Sequence, residues 1–149
     1  MDLKVVIAAG GTGGHLFPGI AVAREFQAAW QAQVTMLTTP KAVTQQILAR
    51  YGLPWEAVAS RALKGEGWWS RGRTLFSLPG SVLAARSRLK ALRPRLVLGM
   101  GGYAAVPVGV AAYLLGIPLV LHEQNAIPGA ANRWLARLAR RIFVSFPAA

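Results

Sequence analysis

The fold of this chain is decided by residues 3–30, which read LKVVIAAGGTGGHLFPGIAVAREFQAAW. The apolar run at 3–9 predicts a buried strand, the glycines at 10–14 predict a tight turn, and residues 17–30 predict a helix. Four glycines in five positions leave the backbone open to a ligand, and the turn leads into the positive end of the helix. The stretch therefore predicts a strand, turn and helix unit that binds a diphosphate or another anion.

The rest of the chain continues this alternation of apolar and helix-like segments. Strands are predicted at 3–9, 33–38, 55–59, 96–99, 118–122 and 141–144, and helices at 17–30, 42–51, 78–92, 104–115 and 129–139. Such alternation is typical of a parallel sheet that helices cover on both faces. The predicted fold class is therefore α/β, a doubly wound parallel sheet, and 149 residues suit one domain. Ligands of such sheets bind beyond the carboxyl ends of the strands.

Composition excludes several classes of protein. With 54% hydrophobic residues the chain is not disordered, and without cysteine it has neither disulfides nor a thiol-bound zinc. The start of the chain lacks the basic segment and the long apolar segment of a signal peptide, so no export is predicted. Residues 96–121 carry no charge and are long enough to cross a bilayer, but five glycines and two prolines divide them, which favours short buried elements.

The net charge of +12 predicts a negatively charged partner. Nucleic acid, anionic lipid and phosphorylated substrates all fit this charge. The alternative without a functional meaning is an arginine-rich composition that reflects a GC-rich genome.

The glycine turn does not fit two common nucleotide motifs. A dinucleotide-binding turn needs a third glycine where this chain has Leu16, and an acidic residue after the second strand, where this chain has Thr38, Thr39 and Pro40. A P-loop needs Gly-Lys-Ser or Gly-Lys-Thr, and neither occurs in the chain. A nicotinamide or flavin enzyme and a P-loop NTPase are both disfavoured.

His15, one of two histidines, stands at the start of the first predicted helix. Its imidazole can accept a hydroxyl proton near neutral pH, and a helix N-terminus favours the neutral form. We therefore predict that His15 is a general base, with a structural role as a helix cap as the alternative.

Further candidate residues follow the fourth and fifth predicted strands. Tyr103 comes directly after Gly102, and the fifth strand ends at His122, followed by Glu123. Asn125 offers an amide that can bind sugar hydroxyls, although taken alone it is more often a turn residue. For Tyr103, and for the pair of His122 and Glu123, a structural role is an equal alternative.

A cluster of aromatic, aliphatic and basic residues precedes and enters the third predicted helix. We call it the 64–90 patch; its apolar members are Trp68, Trp69, Leu75, Phe76, Pro79 and Leu83, and its basic members are Lys64, Arg71, Arg73, Arg86, Arg88 and Lys90. Apolar side chains rimmed by cations suit shallow insertion into an anionic membrane surface. The alternative is a loop that packs its own tryptophans.

Three motifs stand out when the chain is considered as a whole: GGTGGHLFPGIAVA at 10–23, GMGGY at 99–103 and HEQNAIPGAANR at 122–133. Together they resemble the MurG family of bacterial glucosaminyltransferases, which belongs to glycosyltransferase family 28 and has the GT-B fold. The resemblance runs along the whole chain and covers the N-terminal half of the family. It implies an acceptor-binding and membrane-associating domain at 1–149, and a separate C-terminal domain that holds most of the UDP-GlcNAc pocket.

The resemblance also implies roles for individual residues. It implies that His15 is the catalytic base, and that the donor-binding residues are Thr12, Gly13, Gly14 and Asn125. The residues implied for the acceptor side are Gly102, Tyr103, His122 and Glu123. The 64–90 patch corresponds to the membrane-binding patch of the family.

The reaction implied is inverting transfer of GlcNAc from UDP-GlcNAc to the muramoyl 4-hydroxyl of lipid I. The product, lipid II, serves peptidoglycan biosynthesis, and through it the cell wall, cell shape and cell division. No cofactor and no obligatory metal are implied, and this domain alone is expected to be inactive. The implied location is peripheral, on the cytoplasmic face of the bacterial inner membrane, and the implied partners are UDP-GlcNAc, lipid I and anionic lipid, without nucleic acid.

One segment departs from the family pattern. Residues 40–46 read PKAVTQQ, where the family carries an acidic residue, so no role of that acid is carried over to this chain. Two alternatives to the transferase half are a basic nucleic-acid-binding module and a nucleotide-sugar-binding α/β module.

Overall fold

A computed structural model describes residues 2–58 and 68–147, with side chains at 2–58 and 78–147. In chain order the elements are β1 (Lys4–Ala8), α1 (Gly13–Trp30), β2 (Gln33–Thr38), α2 (Ala42–Arg50), β3 (Trp55–Ala57), α3 (Trp68–Leu92), β4 (Leu96–Gly99), α4 (Ala105–Leu114), β5 (Leu119–Glu123), α5 (Ala130–Leu135) and β6 (Arg141–Val144). The strands form one parallel sheet in the order β3-β2-β1-β4-β5-β6. The predicted α/β class, a doubly wound parallel sheet, is confirmed.

The direction of strand order reverses at the centre of this sheet. From β1 the chain moves outward to β2 and β3, and then returns to place β4 on the other side of β1. Register brings Ala8 of β1 beside Leu37 of β2 and beside Gly99 of β4. The turns that follow these three strands therefore meet at one place, where ligands of doubly wound sheets bind.

Alternate residues of β1 supply two separate cores. Val6 and Ala8 pack in a cluster that includes Leu89 of α3, while Val5 and Ile7 pack in a second cluster with α1 and α2 residues. Burial on both faces explains why β1 is a continuous apolar run instead of an alternation of polar and apolar residues. The cores hold the glycine turn after β1 on a rigid strand.

Three helices differ from the expected bounds by more than one residue at an end. α1 begins at Gly13 instead of residue 17, because the N–H groups of a first turn have no helical acceptor and glycine costs little there. α3 begins at Trp68 instead of residue 78, so the expected start is wrong, and Pro79 lies inside the helix. α5 ends at Leu135 instead of residue 139, because the chain must already enter the sheet at Arg140, whose N–H donates to the carbonyl oxygen of Leu119 over 2.8 Å.

The uncharged stretch at 96–121 forms β4, α4 and the first part of β5, as expected from its glycines and prolines. In the described parts of the chain, no helix combines the length and the apolar character needed to cross a membrane. Strand β3 ends at Ala57, and residue 59, the expected end, lies outside the described residues.

Candidate functional site

The glycine turns after β1 and β4 are joined backbone to backbone. The N–H of Gly10 donates to the carbonyl oxygen of Gly101 over 3.1 Å. A Cβ atom on Gly10 would lie 2.7 Å from the backbone nitrogen of Tyr103, and Gly101 and Gly102 have φ values of +94° and +77°. Side chains therefore do not fit at this junction, and the two motifs form one surface.

A cleft of about 540 Å³ opens on this surface. Its lining comes from the ends of β1, β2, β4 and β5 and from the starts of α1 and α5, and comprises Gly10, Gly11, Thr12, His15, Thr39, Pro40, Lys41, Gly101, Gly102, Tyr103, Glu123, Gly129, Ala130, Ala131 and Asn132. Of the residues predicted from the sequence, the cleft brings together Thr12, His15, Gly102, Tyr103 and Glu123.

His15 is half-buried in the first turn of α1 and is fixed by its neighbour Thr12. The Nδ1 atom of His15 lies 2.7 Å from Oγ1 of Thr12. Burial lowers the pKa of His15 below 6.5, and the negative charge of Glu123 opposes this shift without cancelling it. The imidazole is therefore neutral at pH 7. When Nδ1 carries the proton and donates it to Thr12, Nε2 has a lone pair that can accept a substrate proton.

The start of α1 leaves backbone donors available for an anion. Thr12 is the N-cap residue, but its hydroxyl contacts His15 and makes no capping hydrogen bond. Gly13 and Gly14 follow as the first helical residues, both exposed, and a Cβ atom on Gly14 would meet nothing within 4 Å. First-turn N–H groups combined with the helix dipole favour a phosphate at this position.

Glu123 is buried at the end of β5 and accepts four hydrogen bonds. Oε1 accepts from the backbone and side-chain nitrogens of Asn125, each over 3.0 Å. Oε2 accepts from the backbone of Gly129 over 3.0 Å and from Nδ2 of Asn132 over 2.9 Å. Burial alone would raise the pKa of Glu123, but these donors outweigh burial and lower it. Glu123 is therefore ionised, and its oxygens organise the loop between β5 and α5.

Four predicted site residues lie outside the lining of the cleft. Asn125 is exposed and held by Glu123, and the half-buried His122 has its Nε2 atom 3.4 Å from Oγ of Ser145 on the β6 side. Gly13 and Gly14 lie beside the cleft at the start of α1. The substrate-binding roles of all four stay predictions.

Three polar residues of the lining were missed by the sequence analysis. Lys41 donates from Nζ to the carbonyl oxygen of Gly11 over 2.9 Å, and Thr39 is buried beside it. The segment at 40–46 was interpreted as the loss of an acid, although it equally adds a cation. Asn132, which is buried, contacts Glu123 and lies inside the 122–133 motif, so a polar residue on the buried face of a short helix was the available signal.

The 64–90 patch lies mostly outside the residues whose side chains are described. Within the described part, Leu83 is 63% exposed on α3, Pro79 is exposed, and Arg86 is half-buried. Arg88 pairs with Glu56, its NH1 atom 3.1 Å from Oε2. The insertion of this patch into a membrane stays a prediction.

No group of three or more metal-ligating side chains occurs among the residues that the structure describes. That the reaction needs no metal stays a prediction, since the described residues are only part of this chain.

Comparison with known proteins assigns the family. The family model for the glycosyltransferase family 28 N-terminal domain matches residues 5–144. A Vibrio cholerae relative named UDP-N-acetylglucosamine--N-acetylmuramyl-(pentapeptide) pyrophosphoryl-undecaprenol N-acetylglucosamine transferase is 44% identical over 98% of this chain and 41% of its own length. A Haemophilus ducreyi relative of the same name is 45% identical over 100% of this chain and 42% of its own.

A solved structure agrees with these relatives. The crystal structure of Acinetobacter baumannii MurG superposes with a TM-score of 0.86 at 35% identity, over 99% of this chain and 43% of that one. The chain thus spans less than half the length of the relatives that it matches. With a family model that covers nearly all of the described sheet, the chain belongs to the glycosyltransferase family 28 N-terminal domain family.

Proposed function

We propose that this chain is the acceptor-binding, N-terminal part of an inverting transferase that moves GlcNAc from UDP-GlcNAc to the muramoyl 4-hydroxyl of lipid I. The observation that carries the proposal is a neutral His15 fixed inside a cleft whose rim offers anion-binding amides. The names of the 44% and 45% identical relatives supply the two substrates.

The site residues account for the proton and the charge of this reaction. Nε2 of His15 takes the proton of the acceptor hydroxyl as its oxygen bonds to C1 of the sugar. The bond between C1 and the donor phosphate breaks at the same time, with inversion, and uridine diphosphate leaves. The amides of Gly13 and Gly14 and the dipole of α1 stabilise the charge that develops on the leaving diphosphate. No metal is required in this scheme.

Two paired carboxylates are not part of the proposed mechanism. The chain has only five Asp and Glu residues, and among those that the structure describes Glu123 alone lies in the cleft. Its four hydrogen bonds keep it ionised and occupied, so it acts as a positioning residue for the loop after β5. A glycosidase-like pair of carboxyl groups is therefore not available within the described lining.

The proposal includes partners outside this chain. Most of the UDP-GlcNAc pocket is supplied by a second domain, so this chain alone is expected to transfer no sugar. Acceptor lipid brings the protein to the cytoplasmic face of the inner membrane, where the exposed Leu83 and the net charge of +12 favour peripheral binding to anionic lipid.

A chimera tests the proposed function directly. This chain replaces the corresponding 147-residue segment of the Vibrio cholerae relative, and lipid II formation from lipid I and UDP-GlcNAc is measured. The proposal predicts transfer by the chimera and none by the chain alone. A folded chimera that binds UDP-GlcNAc and forms no lipid II would contradict it.

A further inference from the structure

The segment after β2 lies against the glycine turn because of strand register. Ala8 of β1 is paired with Leu37 of β2, so the residues that follow both strands emerge side by side. Lys41 thereby reaches the turn from thirty residues away in sequence, and its Nζ atom donates to the carbonyl oxygen of Gly11 over 2.9 Å. A cation is thus fixed at the edge of the cleft that lies farthest from β5.

Thr39 contributes a polar group that has no partner in the folded chain. Its side chain is only 6% exposed and lines the cleft, and its Oγ1 atom is among the buried polar atoms without a hydrogen bond. A buried hydroxyl normally has a partner, because burial removes its hydrogen bonds to water and an unpaired hydroxyl destabilises the fold. An unpaired hydroxyl at this position points to a ligand atom that completes it.

The hydroxyl and the ammonium converge on the same bare face of the turn. A Cβ atom on Gly11 would lie 3.0 Å from Nζ of Lys41 and 3.1 Å from Oγ1 of Thr39. Gly11 has no side chain to cover this face, and Nζ keeps two further N–H donors after its bond to the carbonyl. One oxygen-rich anion can therefore accept hydrogen bonds from both side chains.

We propose that Lys41 and Thr39 form a subsite that binds one phosphoryl group of a diphosphate in the cleft. Lys41 is the one lysine or arginine in the described lining. The start of α1 can bind one phosphoryl group of a diphosphate, and Lys41 provides a positive charge for the other. This subsite rests on the proposed function, because that function explains why a diphosphate enters the cleft. Binding at the subsite can nevertheless be measured without sugar transfer.

The test is titration of the chain with inorganic pyrophosphate at a fixed ionic strength of about 0.15 M, which screens the general attraction of a basic protein. Lys41→Gln is expected to raise the Kd by roughly five- to tenfold, and Thr39→Val by roughly threefold. Lys41→Arg is expected to recover most of the affinity. The matched control is Lys4→Gln, an equal loss of charge on the exposed start of β1, at the opposite end of that strand.

Two outcomes of this titration would overturn the subsite. Equal weakening by Lys41→Gln and Lys4→Gln would show that only net charge attracts pyrophosphate, and wild-type chain without saturable binding would show that no subsite exists. Thermal unfolding distinguishes a structural role of Lys41 from a role in binding. If Lys41 only closes the turn, Lys41→Gln lowers the Tm of the free chain but leaves the pyrophosphate-induced rise in Tm unchanged. That result also overturns the proposal.

Uridine diphosphate and geranyl diphosphate then identify the source of the diphosphate. A Kd that rises in Lys41→Gln only for uridine diphosphate assigns the subsite to the sugar donor, and a rise only for geranyl diphosphate assigns it to the lipid acceptor. A rise for neither overturns the proposal. Loss of lipid II synthesis in the chimera with intact pyrophosphate binding overturns the proposed function alone, so the two failures are distinct.

Discussion

The Nδ1 atom of His15 lies 2.7 Å from the hydroxyl oxygen of Thr12, one helical turn before it. Thr12 occupies the N-cap position of α1, where a threonine hydroxyl ordinarily bonds a backbone N–H of the first turn. Its bond to the imidazole instead leaves the N–H groups of Gly13 and Gly14 for a ligand and selects the orientation of His15. One hydroxyl thus serves both the proton acceptor and the anion site.

Replacement of this hydroxyl is expected to slow transfer without removing the base. Thr12→Val in the chimera should lower kcat by roughly tenfold, because the imidazole loses the partner that fixes its ring and tautomer. Thr12→Ser keeps the hydroxyl and should retain most of the activity. Nitrogen chemical shifts of His15 report the tautomer, and an unchanged kcat with unchanged shifts in Thr12→Val would contradict this role.

The pH dependence of transfer should follow the lowered pKa of His15. Burial favours the neutral imidazole, so the acid limb of the kcat/KM profile is expected below pH 6.5, the ordinary value. Glu123 raises this pKa, so loss of its charge in Glu123→Gln should move the limb further towards acid. A limb that moves to higher pH in this variant would contradict the assignment. The measurement is initial rate against pH at low acceptor concentration.

Glu123 should also contribute a pH-dependent part of the stability. Its pKa is lowered in the folded chain, so its stabilisation is present above the unfolded value of 4.5 and is lost as the pH falls through the folded value. Glu123→Gln should lower the free energy of unfolding by about 1–3 kcal/mol at pH 7, and the deficit should shrink below pH 4.5. Urea unfolding at several pH values measures it. Glu25→Gln, on the exposed surface of α1, is the control, and a deficit independent of pH would contradict the prediction.

The junction of the two glycine turns should not accept a methyl group. Gly10→Ala places a Cβ atom 2.7–2.8 Å from backbone atoms of Gly102 and Tyr103, and backbone cannot rotate away as a side chain can. We expect a loss of about 2 kcal/mol or more in the free energy of unfolding. Gly14→Ala is the matched control, because its Cβ atom meets nothing within 4 Å and alanine favours a helix. Similar Tm values for the two variants would contradict the backbone contact.

Membrane binding should depend on the exposed face of α3. Leu83→Asp is expected to reduce sedimentation of the chain with anionic vesicles by roughly threefold or more, because a 63% exposed leucine would otherwise enter the lipid interface. Val43→Asp, at a 67% exposed valine of α2, makes the same change elsewhere and should have little effect. Retention on DNA at the same salt tests the nucleic-acid alternative, which stronger binding to DNA than to vesicles would favour.

Much of the fold followed from local pattern. β2, β4 and β6 match their expected bounds residue for residue, and β1 differs by one residue at each end. These strands are short apolar runs between clear turn signals, so periodicity identifies them. The first ten residues of α3 were not expected, because the aromatic and basic residues there were interpreted as the approach to a helix that begins at residue 78.

Site residues were predictable where they directly follow a predicted strand within one of the three motifs. The glycine turn, Thr12 and His15 share a single strand, turn and helix unit, and the structure places Thr12 and His15 together in the cleft. The contact of Lys41 with Gly11 joins residues thirty positions apart, so it depends on the register of β1 against β2, which local pattern does not encode. The four hydrogen bonds of Glu123 depend in the same way on the folded loop before α5.

His15 is proposed to accept the proton of the acceptor hydroxyl, and turnover of the chimera that carries His15→Ala tests this role. We expect kcat for lipid II formation to fall by about 100-fold or more, while the Kd for UDP-GlcNAc changes less than about threefold. Gln27→Ala on the exposed surface of α1 is the control and should keep full activity. Near-normal turnover by His15→Ala would contradict the role of His15 as the base.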